Sequence, residues 1–334
     1  MPIPDAHIYF SFAIHHGMKR TAVLMSIGSL VIMFALIVDP VRYTQSIKNG
    51  LDLFVVAVLP SMLPFFFLSG LLTATGLARV IASKWGKFVV KLYGAPPVGL
   101  YVMLMSCLSG YPVGAKLTAE LYENGLLSET GAKRILPFTS ATGPMFVIGA
   151  VGAGLLGDVN AGLCIAASHY LATVLNGLLY RKKSSVPSAP LPVLPLASDK
   201  LLWNTAVNTA TSLLVAGVFI VIFNLLADLS CDLLLTQALT NELIIFGVSG
   251  DKAEAITFGL IEMTRGCSKL AMIASPKEVA PLCAFVVTFG GCSVALQSVA
   301  YLAKCKISPA YYLLTKTTQS LIALGLCYLF CLLL

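Results

Sequence analysis

Two apolar stretches of this chain are broken, well inside their length, by residues that cannot continue a helix. They are Ser109-Gly110-Tyr111-Pro112-Val113-Gly114-Ala115-Lys116 and, farther along, Thr142-Gly143-Pro144. Proline lacks an N–H and glycine is conformationally loose, so each break leaves backbone polar groups without helical partners. At membrane depth such backbone survives only where protein buries it or where it lines a cavity. A weaker second copy follows: Gly266-Cys267-Ser268-Lys269-Leu270 echoes Gly114-Ala115-Lys116-Leu117, and the run from Phe285 to Gly291 echoes that from Phe138 to Pro144. Paired broken elements are the means by which secondary transporters build one site near the midplane.

Composition agrees with a bilayer setting. Of 334 residues, 57% are hydrophobic and 11% charged, with mean hydropathy +0.88, whereas soluble domains carry about 25% charged residues. The excess of 22 Lys and Arg over 15 Asp and Glu is gathered in short segments, which reads as membrane orientation and not as a nucleic-acid surface. The 9 cysteines form no C-x-x-C pair, so neither a zinc site nor a redox motif is indicated. His7, His15 and His16 read as part of a solvated tail. No G-x-S-x-G or H-E-x-x-H motif is present, and an enzyme is not expected.

In chain order, residues 1–50 hold a tail and a first span, Ala22 to Val38. Leu53 to Thr75 forms the second span, with Pro60 and Pro64 as expected kinks. Leu77 to Gly94 mixes Arg79, Lys84, Lys87 and Lys91 with Trp85, the pattern of an interfacial helix. Pro97 to Leu108 is too short to cross about 30 Å of hydrocarbon; it meets the break and resumes as Lys116 to Tyr122, which suits a re-entrant hairpin. Spans follow at Ile135 to Leu156, broken at Thr142-Gly143-Pro144, and at Ala161 to Tyr180. A Pro-rich linker, 184–200, separates the halves. The second half has a span from Leu213 to Leu226, a connection from Leu233 to Val248, and a second hairpin from Ala253 to Ala274 with its break at Glu262-Met263-Thr264-Arg265-Gly266. It closes with a span from Val279 to Ala303 broken at Gly290-Gly291 and a last span from Ala310 to Leu334.

If neither hairpin crosses, the basic segments at 19–20, 79–91, 181–183 and 304–306 share one side, as the positive-inside rule requires. The expectation is an all-α polytopic membrane protein of about seven transmembrane helices plus two re-entrant hairpins. Its repeats, 51–183 and 201–334, are inverted, and its N-terminus is cytoplasmic in a bacterial inner membrane.

A charge at membrane depth is a site candidate by default. Glu262 and Arg265 flank the second hairpin break, and Lys116 and Lys269 follow the two breaks at matching positions; Glu262 equally suits a structural ion pair. The half-helices that start at Thr142-Gly143-Pro144 and at Gly290-Gly291 would turn their N-termini toward an anion. Thr139, Ser140, Thr142, Thr288, Ser293 and Gln297 offer hydroxyl or amide contacts, and Tyr111 and Phe146 offer ring faces. The substrate-binding set is therefore Ser109, Gly110, Tyr111, Lys116, Thr142, Gly143, Pro144, Glu262, Thr264, Arg265, Gly290, Gly291, Ser293 and Gln297. His169 and Asn176 share a face of one span, as a structural pair or a proton relay. Gly149, Gly152 and Gly154 read as a packing face. No cofactor or metal is implied; a coupling ion, if used, would be Na+ or H+. The partners expected are a small anionic molecule and the lipid bilayer, without nucleic acid, and a homo-oligomer is allowed.

The runs Ser109 to Lys116, Ala141-Thr142-Gly143-Pro144, Glu262 to Gly266, and Phe289-Gly290-Gly291-Cys292-Ser293-Val294 with Gln297 resemble the sporulation integral membrane protein family of YlbJ (SpoVV) type, whose members carry nucleoside-recognition, or Gate, domains. The resemblance covers residues 50 to 330. It implies a transporter of dipicolinic acid, a flat aromatic dianion, across the outer forespore membrane. Gate domains occur in concentrative nucleoside transporters too, so nucleoside uptake is the alternative, with a non-transporting sporulation scaffold as a third reading.

Overall fold

The computed structural model describes residues 20–182 and 200–333, and every regular element among them is helical. The three tail histidines and nearly all of the Pro-rich linker lie outside the described residues.

Helix α1 (Arg20–Val38) ends at Asp39, which opens α2 (Pro40–Asp52): its carboxylate accepts the Arg42 N–H at 3.1 Å, and Pro40 takes the first helical turn, where its missing N–H costs nothing. A π-helical stretch, Leu53–Val58, carries the chain without a stop into α3 (Leu59–Ala74). The Leu59 N–H reaches five residues back to the Phe54 carbonyl, a wide turn that lets Pro60 enter the helix with no donor of its own. The apolar span therefore runs Pro40–Leu72, starting upstream of the expected Leu53.

Helix α4 (Leu77–Tyr93) buries Val89 and leaves Trp85 and Phe88 exposed beside its lysines. The first hairpin follows, α5 (Gly99–Ser109) and α6 (Val113–Glu123). Each arm has 11 residues and rises about 16 Å at 1.5 Å per residue, roughly half the hydrocarbon thickness. Then come α7 (Glu129–Thr139), an irregular 140–144, a second π-helical stretch (Met145–Leu155) and α8 (Val159–Leu179).

The second half opens with α9 (Leu201–Asp232), 32 residues without a break. The expected span Leu213 to Leu226 is its middle. The expected connection, Leu233 to Val248, is instead a helix, α10 (Leu235–Ile245), with Leu239 and Ile244 exposed. The second hairpin is α11 (Gly250–Ile261) and α12 (Met263–Ala271); the broken helix is α13 (Pro276–Phe289) and α14 (Gly291–Leu302); the last is α15 (Pro309–Leu333). The order of short helix, hairpin, broken helix and long helix thus occurs twice.

Among the described residues, five helical runs are long and apolar enough to cross a membrane: Pro40–Leu72, Val159–Leu179, Leu201–Asp232, Pro276–Cys305 and Pro309–Leu333. The other two expected spans are shorter apolar pieces, Met25–Val38 and Met145–Leu155, the latter because the chain between α7 and the π-helical stretch is not helical. One apolar cluster joins the second hairpin to α13, α8 and the second π-helical stretch through Leu270, Val286, Ile165 and Phe146. Another joins the first hairpin to α7, α14 and α15 through Tyr101, Phe138, Leu302 and Tyr312. Lipid tails are as apolar as these side chains, so within a bilayer the clusters hold the helices together by close packing. Close packing of small residues is real at Gly152, where an added Cβ would lie 2.6 Å from Gly162 Cα; at Gly154 it would meet only the Gly149 carbonyl.

Candidate functional site

The first break is held by side chains from three other elements. Residues 140–144 have left the helical ladder, so their polar groups need other partners. Ser106 Oγ on α5 accepts the Ala141 N–H at 3.0 Å. The Thr142 N–H donates to His169 Nε2 at 3.0 Å, and the Thr142 carbonyl accepts from Tyr170 Oη at 3.0 Å. The Ser140 carbonyl accepts from Gln319 Nε2 at 3.2 Å and from Lys316 Nζ at 3.3 Å. Because His169 Nε2 accepts, its proton sits on Nδ1, which donates to Thr288 Oγ1 at 2.8 Å. His169 is thus a neutral strut, satisfied on both nitrogens, between the first break and the last turn of α13. Asn176, on the same face, donates to the Pro137 and Thr315 carbonyls at 2.8 and 3.1 Å, tying α7 to α15.

The tip of the first hairpin lies on this break. Gly110 has φ +81, and a Cβ there would stand 2.7 Å from Gly143 N, so both backbone conformation and space demand glycine. Ser109 Oγ donates to Ser69 Oγ of α3 at 2.7 Å. Tyr111 crosses to the other half, its hydroxyl donating to the Thr288 carbonyl at 3.0 Å.

At the second break, Gly290 and Gly291 both take positive φ, and α14 starts with no side-chain cap. An added Cβ on Gly291 would stand 2.9 Å from the Gly259 carbonyl oxygen and 3.2 Å from Met263 N, so the second hairpin's break rests on this one. Ser293 and Gln297 are buried on α14, with Gln297 Nε2 donating to the Ser293 carbonyl at 3.2 Å. Each hairpin tip therefore reaches a helix break: Gly110 touches the first, Tyr111 links the first hairpin to the second, and the turn around Glu262 rests on the second.

The charged candidates divide. Glu262 is fully buried, and its Oε2 caps α12 by accepting the Arg265 N–H at 2.8 Å. Its Oε1 and the buried Thr264 Oγ1 have no partner beyond the Glu262–Thr264 pair itself, Tyr312 Oη has none beyond Ser298 and Ser140, and Thr139 Oγ1 has none. Arg265, expected at the site, turns to α9 instead: its guanidinium donates to Asp228, to the Asn224 carbonyl and to Asn224 Oδ1, and lies over the Phe258 ring. Lys269 pairs with Glu254 at 2.7 Å over the same ring, and the half-exposed Lys116 reaches Glu120 at 4.0 Å. The structure points these three cations away from the breaks because an acidic partner is nearer each of them.

The cation at the breaks is one that the hairpin pattern did not single out. Lys316, on α15, is the only Lys or Arg buried among the described residues. Its Nζ lies 2.7 Å from Tyr111 Oη, 3.0 Å from Gln319 Oε1 and 3.3 Å from the Ser140 carbonyl, with the Tyr111 ring centroid at 4.5 Å. Gln319 in turn bonds Thr173 Oγ1 at 2.7 Å. The signal was present, a lysine inside a 25-residue apolar helix, where any charge marks a site.

No protein-family model matches the chain. It is 28% identical over 333 residues to the sporulation integral membrane protein YlbJ of Bacillus subtilis, a match that covers 91% of this chain and 81% of that protein. Its fold is similar to a solved structure of a doubly substituted CNTnw in an outward-facing state, with a TM-score of 0.56, 13% identity, and coverage of 92% of this chain and 87% of that one. The chain is thus similar in sequence, over nearly its whole length, to a sporulation integral membrane protein, and similar in fold to CNTnw.

Proposed function

We propose that the chain is a membrane transporter of a small organic anion, with dipicolinic acid crossing the outer forespore membrane as the substrate that the likeness to YlbJ favours. The repeats 51–183 and 201–334 act as inverted halves around one midplane site, with the N-terminus on the cytoplasmic side. The observation that carries this reading is where the unsatisfied polar atoms fall. Buried oxygens are normally paired, yet Thr139 Oγ1 at the end of α7 has no partner, Glu262 Oε1 and Thr264 Oγ1 at the second hairpin break have none beyond the Glu262–Thr264 pair itself, and Tyr312 Oη, one turn before Lys316, has none beyond Ser298 and Ser140. These positions border both breaks, where a polar substrate would complete them. Lys316 and the uncapped starts of the second π-helical stretch and of α14 favour negative charge.

One observation favours a second reading. Glu262 Oε1 is a pure acceptor when ionised, which suits a hydroxyl-bearing neutral substrate such as a nucleoside better than a dianion. Uptake by the full chain in liposomes, with dipicolinate and uridine in competition, tests both. Glu262→Gln keeps the side-chain shape and removes the charge. Dipicolinate uptake is expected to hold or rise in this variant, whereas a nucleoside carrier would lose a charge-assisted hydrogen bond of about 1.5–3 kcal/mol, roughly a 10- to 100-fold fall. Glu262→Ala also removes the α12 cap, worth about 0.5–2 kcal/mol, and is expected to lose uptake with either substrate. Uptake of neither compound by the wild-type chain would leave the scaffold reading.

A further inference from the structure

Freed carbonyls at a helix break are where secondary transporters coordinate a coupling cation. In this chain the carbonyls of the first break are already engaged. Thr142 accepts from Tyr170 Oη, Gly143 accepts the Val147 N–H, and Ser140 accepts from both Gln319 and Lys316. The protonation state of Lys316 follows from counting hydrogens. The Tyr111 hydroxyl proton is directed to the Thr288 carbonyl, so Tyr111 Oη can only accept from Lys316. The Gln319 amide is oriented by its Nε2 donating to the Ser140 carbonyl, so Oε1 can only accept. The Ser140 carbonyl has no hydrogen to give. Three acceptors need three N–H bonds, and only the ammonium form has three. The Tyr111 ring face adds a fourth favourable contact.

We propose that Lys316 is a built-in cation: its ammonium, delivered from the last helix, fills an oxygen cage between the first hairpin tip and the first helix break, in the place of a dissociable Na+. The side chain joins three elements distant in sequence, because Tyr111 is 205 residues and Ser140 176 residues from Lys316. The cage holds no carboxylate; its ligands are a phenol, an amide and a carbonyl, neutral oxygens suited to one monovalent positive charge. The hairpin is consequently locked to the break without an ion from solution.

The test is the unfolding midpoint of the full chain in detergent, in NaCl against choline chloride at equal ionic strength. The wild-type midpoint is expected to be the same in both salts. Lys316→Ala, which empties the cage but leaves its oxygens, is expected to unfold at lower temperature in choline chloride and to recover part of the loss in NaCl. Lys316→Met, which fills the space with apolar atoms, is expected to respond to neither salt. A Na+-specific shift in the wild type, or Lys316→Ala behaving alike in both salts, overturns the proposal. Should Lys316→Ala fail to fold, the wild type and Lys316→Arg still decide it, since Na+ dependence in either is incompatible with a resident cation. Only the second arm rests on the transporter reading: liposome uptake is expected to be unchanged when choline replaces Na+. Absent uptake with the salt results intact would count against the transporter and leave the cage standing.

Discussion

Lys316→Met is expected to lose uptake by about 100-fold or more, equivalent to about 2.8 kcal/mol at 1.4 kcal/mol per tenfold, while the unfolding midpoint stays close to that of the wild type. The two readouts separate because the costs differ. Removing the ammonium orphans Gln319 Oε1, a penalty of about 1–3 kcal/mol. The Ser140 carbonyl keeps Gln319 Nε2, and Tyr111 keeps the Thr288 carbonyl. Against this stands relief of the burial cost of a charge, which often makes apolar replacement of buried ions neutral or favourable. Uptake has no such compensation, since the cation is what ties the hairpin tip to the break. Transport in liposomes together with thermal unfolding of the same preparation checks it; full uptake by the variant would remove Lys316 from the mechanism.

A large stability effect is expected at Gly114, in the first turn of α6. A Cβ there would stand 1.9 Å from the Thr139 carbonyl oxygen and 2.9 Å from Ser106 Oγ. The first obstacle is backbone, so the hairpin arm itself must move away from α7. Gly114→Ala is expected to cost about 3 kcal/mol or more, the upper end for an overpacked site, and to lower the unfolding midpoint accordingly. Gly325→Ala is the matching control: on α15, with nothing within 4 Å of its added Cβ, it is expected to be neutral or to gain up to about 1 kcal/mol from helix propensity. A Gly114→Ala midpoint equal to that of the control would show that hairpin and break are not in close contact.

Much of the backbone was legible before the structure. The first hairpin followed from an arm too short to cross a bilayer, the second from its echo of the first, and the broken spans from Gly and Pro at membrane depth. The structure places Gly110 against Gly143, and Ile261 and Met263 against Gly291, which is where a pair of hairpin tips was expected to meet the breaks. Helix α10 was not legible, because its apolar positions do not alternate clearly with charge as those of α4 do. The π-helical course before Pro60 was not legible either, since a proline announces a disturbance without saying whether the helix will kink or widen.

The sequence by itself determined where helices must stop, because a missing N–H or a positive φ acts within one turn and needs no distant partner. It did not determine which charges face the breaks. Lys116, Arg265 and Lys269 sit beside the breaks in sequence, yet turn to Glu120, Asp228 and Glu254, while Lys316 reaches the first break from the last helix. Helix rotation and the competition among nearby acidic groups decide that choice, and both exist only once the helices have packed. A long, flexible cationic side chain takes the partner that tertiary structure brings nearest, which a position in the chain does not reveal.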